Sequence, residues 1–164
     1  MRSMRTICSV CLALLALATW SSGAHAFGLS GIGGRVGSVD PEGGDGTLAA
    51  GAHLEFEESG SRFHVAPGFL YWGKDGFSDF NPNFDLFYHF SPAGHVSPYL
   101  GAGVGMHFYS NDGPGDPGSD FGANLFGGVI FPASRTRFFI EGRYAATDLS
   151  QASIFGGITL PIGH

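Results

Sequence analysis

A histidine and a serine in the middle of the chain are the residues whose types first suggest covalent chemistry. His107 lies in the stretch PYLGAGVGMHFYSNDG, from Pro98 to Gly113, and Ser110 follows three positions later. A histidine activates a serine only when the two side chains are within hydrogen-bond reach. Residues three apart on a regular strand point to opposite faces. The spacing therefore predicts no catalytic residues in this stretch.

Several histidines share the polar positions of neighbouring predicted strands, which raises the question of a metal site. No His-x-His spacing supports one, and the two cysteines, Cys8 and Cys11, lie in an N-terminal segment that we expect to be removed. We therefore expect interior hydrogen bonding and no metal or other cofactor. The histidines concerned are His53, His64, His89 and His107.

A second set of polar positions carries charges of both signs. A buried charge costs several kcal/mol unless it is paired, so these residues predict an ion network inside the fold. A narrow conducting path is the alternative, although an eight-stranded barrel leaves little open lumen. The predicted network comprises Arg35, Glu55, Glu57, Arg62, Asp85, Arg137, Glu141 and Arg143.

Acidic residues also collect in the predicted loops. Carboxylates of this kind suit divalent cations, but Asp beside Gly and Pro is also ordinary turn chemistry. We expect acidic loops that offer a surface to a protein or small-molecule partner. The loop residues are Asp40, Glu42, Asp45, Asp75, Asp79, Asp112, Asp116, Asp120 and Asp148.

The elements that position these residues are stretches in which apolar and polar or small residues alternate. Each has roughly ten residues, the length of a tilted membrane-spanning strand. The pattern predicts an all-β fold, an eight-stranded antiparallel up-and-down transmembrane barrel. The stretches lie at about 28–38, 47–57, 61–72, 80–90, 97–109, 120–131, 135–145 and 150–160.

The fifth stretch shows what the small face is for. Gly101, Gly103 and Gly105 occupy every second position, with apolar residues between them. The interior of an eight-stranded barrel is just wide enough to be filled by side chains. We expect this face to be left empty so that long side chains such as Arg137 and Arg143 can cross the lumen.

Alternation alone does not decide which face is inside. A soluble periplasmic ligand-binding barrel, with an apolar lumen, is an alternative. Predicted connections of unequal length favour the membrane barrel, because outer-membrane barrels combine longer external loops with short periplasmic turns. The external loops are predicted at 39–46, 73–79, 110–119 and 146–149, and the periplasmic turns at 58–60, 91–96 and 132–134.

The N-terminal segment has the form of a secretory signal. Arg2 and Arg5 precede an apolar run at 7–19, and the small-x-small sequence at 24–26 predicts cleavage before Phe27. We therefore expect a signal peptide at 1–26 and one barrel domain at 27–164. Beyond residue 26 there are 6 Lys or Arg and 14 Asp or Glu, a formal net charge of -8. This balance argues against nucleic acid as a partner.

Three segments carry a resemblance to a known group: PYLGAGVGMHF at 98–108, FGANLFGGVIF at 121–131 and FFIEGRY at 138–144. In these the chain resembles the small outer-membrane β-barrel proteins of Gram-negative bacteria, the group of the OmpA transmembrane domain, OmpX and OmpW. The resemblance implies an outer-membrane location, a structural, adhesive or surface-binding role, and contact with outer-membrane lipid, lipopolysaccharide and the barrel assembly machinery.

An enzymatic alternative is the lipid A deacylase type of eight-stranded barrel. That family carries a His-x-Ser pair after an Arg-Tyr pair in the penultimate strand, with a carboxylate that orients the histidine. Here Arg143 and Tyr144 are followed by Ala145, Ala146 and Thr147. Because the motif is missing, we expect no enzymatic activity.

Overall fold

The computed structural model describes residues 27–92, 95–113 and 118–162. The predicted signal peptide at 1–26 lies outside these residues. Each predicted alternating stretch is a strand, and most strands are longer than the roughly ten residues expected. The strands are β1 Phe27–Pro41, β2 Thr47–Glu58, β3 Phe63–Lys74, β4 Phe77–His89, β5 Ser97–Asn111, β6 Ser119–Ala133, β7 Thr136–Ala146 and β8 Gln151–Pro161.

Each strand pairs antiparallel with its neighbours in sequence, and β8 pairs with β1 to close the sheet. This confirms the predicted eight-stranded up-and-down barrel. The strands are strongly staggered. If one starts at Gly122 on β6 and moves each time to the residue directly opposite on the next strand, one circuit of the barrel returns to β6 at Pro132, ten positions further along. Among the described residues there is no helix long and apolar enough to cross a membrane.

The prediction that long and short connections alternate is wrong. We call the end of the barrel where β1 begins at Phe27 and β8 ends at Pro161 the terminal end, and the opposite end the distal end. The distal connections are 42–46, 75–76, 112–118 and 147–150, and the terminal ones are 59–62, 90–96 and 134–135. The expected loop at 73–79 is a two-residue turn, because Asp75 and Gly76 both adopt positive φ, at 52° and 77°. That geometry lets the flanking strands pair up to the turn.

The exposure of the side chains shows which face of the sheet lines the interior of the barrel. Apolar side chains point outward, with Leu48 75% and Phe121 65% exposed. Charged side chains point into the lumen, where Asp85 is 1% and Arg143 is 5% exposed. This is the pattern of a transmembrane barrel, whose exterior meets hydrocarbon, and the opposite of a soluble barrel with an apolar lumen.

Aromatic side chains gather on the outer surface towards both ends. At the distal end Tyr71 lies opposite Phe80, which lies opposite Phe108. At the terminal end the rings of Phe63 and Tyr88 are 4.9 Å apart between centroids. Such bands match the two girdles that flank the apolar belt of an outer-membrane barrel.

Candidate functional site: the charged lumen

The centre of the lumen is held by an ion cluster that spans it from wall to wall. Arg143, on β7, donates from Nη2 to Asp85 Oδ2 at 2.6 Å and from Nη1 to Asp85 Oδ1 at 3.2 Å, across the barrel on β4. Its Nε donates to Glu141 Oε1 at 3.1 Å. Arg35 Nη1 donates to the same oxygen at 2.7 Å, and Tyr99 donates its hydroxyl to Glu141 Oε2 at 2.9 Å. Two guanidinium and two carboxylate groups therefore neutralise one another in a buried layer.

A second ion pair lies nearer the terminal end. Arg137 Nη2, on β7, donates to Glu55 Oε2 at 2.6 Å, across the lumen on β2. Thr159 donates its hydroxyl to Glu55 Oε1 at 3.0 Å, and His53 Nε2 lies 3.3 Å from that oxygen. Each of the two oxygens of this buried carboxylate therefore has a polar partner.

Two residues of the predicted network lie outside these clusters. Glu57 is at the terminal rim, where its Oε2 is 3.1 Å from Nδ1 of His64 and its side chain is 25% exposed. Arg62 is exposed and donates to the Ser91 hydroxyl at 2.9 Å. Its assignment to the interior is wrong, because β3 begins at Phe63 and leaves Arg62 in the preceding connection.

A third polar cluster, in the distal half, was not expected. His107 Nδ1 lies 2.7 Å from Asp79 Oδ2, which also accepts a hydrogen bond from Gln151 Nε2 at 3.0 Å. Trp72 Nε1 donates to Gln151 Oε1 at 3.2 Å. Asp79 was predicted to lie in an acidic loop, but it is on β4 and buried. Asp40 and Asp120, also predicted in loops, are near the ends of β1 and β6, and Asp116 lies outside the described residues. The signal that could have placed Asp79 is the every-second-residue run of Asp79, Asn81, Asn83 and Asp85.

The structure also places the histidines and the serine that were considered for catalysis or metal binding. His107 is buried in the lumen, whereas Ser110 is exposed on the outward face, so the two side chains project from opposite sides of β5. His64 and His89 stack with ring centroids 4.1 Å apart. Within 27–92, 95–113 and 118–162, no group of three or more His, Cys, Asp or Glu side chains is arranged to hold a metal ion.

Two apolar clusters close the lumen on either side of the central ion layer. The cavity beside this layer has a volume of only about 30 Å³, and the cavity beside His107 has a volume of about 20 Å³. Spaces of this size hold isolated waters. The terminal cluster is Ala66, Phe87, Tyr99, Phe126, Ile130 and Phe139, and the distal cluster is Val39, Ala49, Leu70, Trp72 and Phe155.

A charged, closed lumen and an apolar exterior are the features of the small eight-stranded transmembrane β-barrels. Solved structures of that class are similar to this chain in fold. Neisserial surface protein A (NspA) matches with a TM-score of 0.65 and 14% identity over 79% of this chain and 94% of its own. Ail, the attachment invasion locus protein of Yersinia pestis, matches with a TM-score of 0.53 and 18% identity over 84% of this chain and 100% of its own.

The outer membrane enzyme PagL also matches, with a TM-score of 0.54 and 15% identity over 81% of this chain and 100% of its own. No protein-family model matches the chain, and no curated protein does. At these identities the likenesses show the fold, that of the small outer-membrane β-barrels, as the sequence predicted.

Proposed function

We propose that this chain is a non-enzymatic protein of the Gram-negative outer membrane, with a structural and surface-binding role. The observation that carries the proposal is the lumen, in which paired charges are sealed between two apolar clusters. A barrel closed in this way offers neither a pore nor an internal site of substrate size. Its accessible polar surface is therefore at its ends.

In this proposal the terminal end faces the periplasm and the distal end faces outward. Outer-membrane lipid and lipopolysaccharide surround the apolar belt, and the barrel assembly machinery inserts it after export. Ail has been crystallised with the heparin analogue sucrose octasulfate, a polyanion. The distal end here is acidic, so we expect it to bind cationic partners and to repel polyanions.

The closed lumen is tested by conductance. Purified protein, folded in detergent and inserted into planar lipid bilayers, should give no single-channel current, while a porin in the same bilayer gives the positive control. Arg143→Ala, which removes one guanidinium from the central ion layer but leaves both apolar clusters in place, should also give no current. Stable current steps from the unmodified protein would contradict the proposal.

The absence of enzymatic activity is tested on the lipid that a lipid A-modifying enzyme would use. After incubation of the folded protein with lipopolysaccharide, mass spectrometry should find the lipid A acyl chains unchanged. Loss of an acyl chain, abolished in His107→Gln, would show that the buried histidine is catalytic and would refute the proposal.

A further inference from the structure

A concave site opens at the distal end, outside the charged lumen. We call it the distal cup. Its volume is about 260 Å³. Its floor is apolar, formed by Trp72 together with Phe77 and Leu149, which pack on the distal cluster. The rings of Trp72 and Phe77 are 5.6 Å apart between centroids.

The wall of the cup is acidic. Glu42, Asp45 and Asp75 line it, and all three are exposed. Lys74 also lines it, but its Nζ lies 3.3 Å from Asp45 Oδ2, so this ammonium is already paired. Among the described residues, Lys74 is the only cationic side chain of the distal end outside the lumen. The cup therefore retains net negative charge above an apolar floor.

The cup is preformed by backbone hydrogen bonds between separate connections. Glu42 donates its backbone N–H to the carbonyl oxygen of Ser150 at 2.8 Å, which ties the connection 42–46 to the connection 147–150. Gly44 donates to the carbonyl oxygen of Pro41 at 3.0 Å and closes the turn. A site ordered before binding loses less conformational freedom when a ligand enters.

We propose that the distal cup binds a basic peptide segment of a partner protein, in which apolar side chains flank Lys or Arg. This rests on the proposed surface-binding function and names its partner. The acidic wall complements the basic groups, and an ammonium or guanidinium over an aromatic ring gains a further cation–π attraction. A hydrated metal ion would gain nothing from the apolar floor, and a polyanion would be repelled by the wall.

The test is isothermal titration calorimetry of the full-length protein, folded in detergent, with the peptide acetyl-Leu-Lys-Leu-Arg-amide. We expect binding that weakens as salt rises, because the charged groups are exposed to solvent. The acidic peptide acetyl-Leu-Glu-Leu-Glu-amide, sucrose octasulfate and MgCl₂ should give no comparable binding. Binding of Mg²⁺ that displaces the basic peptide would instead identify a divalent-cation site and overturn the proposal.

Two charge-matched double variants locate the site. Glu42→Gln with Asp75→Asn removes two wall carboxylates and should weaken peptide binding about fivefold, from rim ion pairs of about 0.5 kcal/mol each. Asp40→Asn with Asp112→Asn removes the same charge from exposed residues at the same end that do not line the cup, and should change binding less than twofold. An equal loss of peptide affinity in both double variants would mean that the peptide responds to the overall negative charge of the distal end and not to a local site. That result would overturn the proposal.

The apolar floor is tested separately by Leu149→Ser, which should weaken peptide binding without changing the charge. A gel run before and after boiling verifies that each variant is folded. If the unmodified protein binds no basic peptide while the bilayer experiment still finds no conductance, the inference fails and the closed-barrel function stands.

Discussion

Arg143 shows at the residue scale how the charged lumen is stabilised. It is paired with both Asp85 and Glu141, and all three are buried. Removing one partner of a buried ion pair leaves an uncompensated charge, at a cost of about 3–5 kcal/mol. Arg143→Met should therefore lower the free energy of unfolding by about that amount, measured by urea titration in lipid vesicles.

Arg62 is the matched control, because it is an exposed arginine with one hydrogen bond to Ser91. Arg62→Met should change the free energy of unfolding by less than about 0.5 kcal/mol, as surface substitutions usually do. A comparable loss in both variants would mean that the buried pairing of Arg143 is not what stabilises the lumen.

The individual pairs could not be predicted from the sequence. That Arg35, Glu141 and Arg143 face inward follows from alternation, but their partners depend on which side chains reach across the lumen. Asp85 and Arg143 are 58 positions apart and on strands that are not neighbours. The contact between Asp85 and Arg143 depends on the stagger and closure of the barrel. Neither can be derived from the alternation of residue types within a single strand.

At the element scale, the inward glycines of β5 make room for side chains other than the expected Arg137 and Arg143: the nearest atoms belong to Phe126 at Gly101, Asp85 at Gly103 and Asn81 at Gly105. A Cβ added to Gly103 would overlap Asp85 Oδ1 and come within 2.6 Å of the carbonyl oxygen of Phe84. Gly103→Ala should therefore destabilise the barrel by about 1–3 kcal/mol, the usual cost of overpacking. The measurement is the same urea titration in vesicles.

Gly142 provides the comparison on the outer face, where an added Cβ has nothing within 4 Å. Gly142→Ala should be neutral or stabilise by up to about 1 kcal/mol, since glycine in a strand interior loses more conformational freedom on folding than alanine. If both substitutions proved neutral, the inward glycines would not be needed for packing.

The existence and order of the strands could be predicted because period-2 alternation is local to each strand. Their ends could not, since acidic residues near a strand end have the composition of a loop. Asp75 belongs to a turn, as expected of such residues, whereas Asp79 belongs to the lumen. What separates them is the position of the hairpin turn, which fixes where pairing begins.

At the scale of the whole molecule, the outward apolar surface predicts a dependence on membrane depth. Leu125 lies in the middle of β6 and is 60% exposed, whereas Leu48 is near the distal end of β2 and 75% exposed. An arginine on the lipid face costs about 2–4 kcal/mol at the midplane and about 0–1 kcal/mol near the interface. Leu125→Arg should therefore lower the free energy of unfolding in vesicles by at least about 2 kcal/mol, and Leu48→Arg by much less.

The same pair of variants distinguishes a barrel in lipid from one in water. For a soluble barrel both leucines would be surface residues, and both substitutions would lie within about 0.5 kcal/mol of the unmodified protein. The fraction that migrates as a compact band before boiling should fall for Leu125→Arg and stay near the unmodified level for Leu48→Arg. Equal, small effects at both positions would show that the outward face does not meet a hydrocarbon core, whatever the likeness in fold.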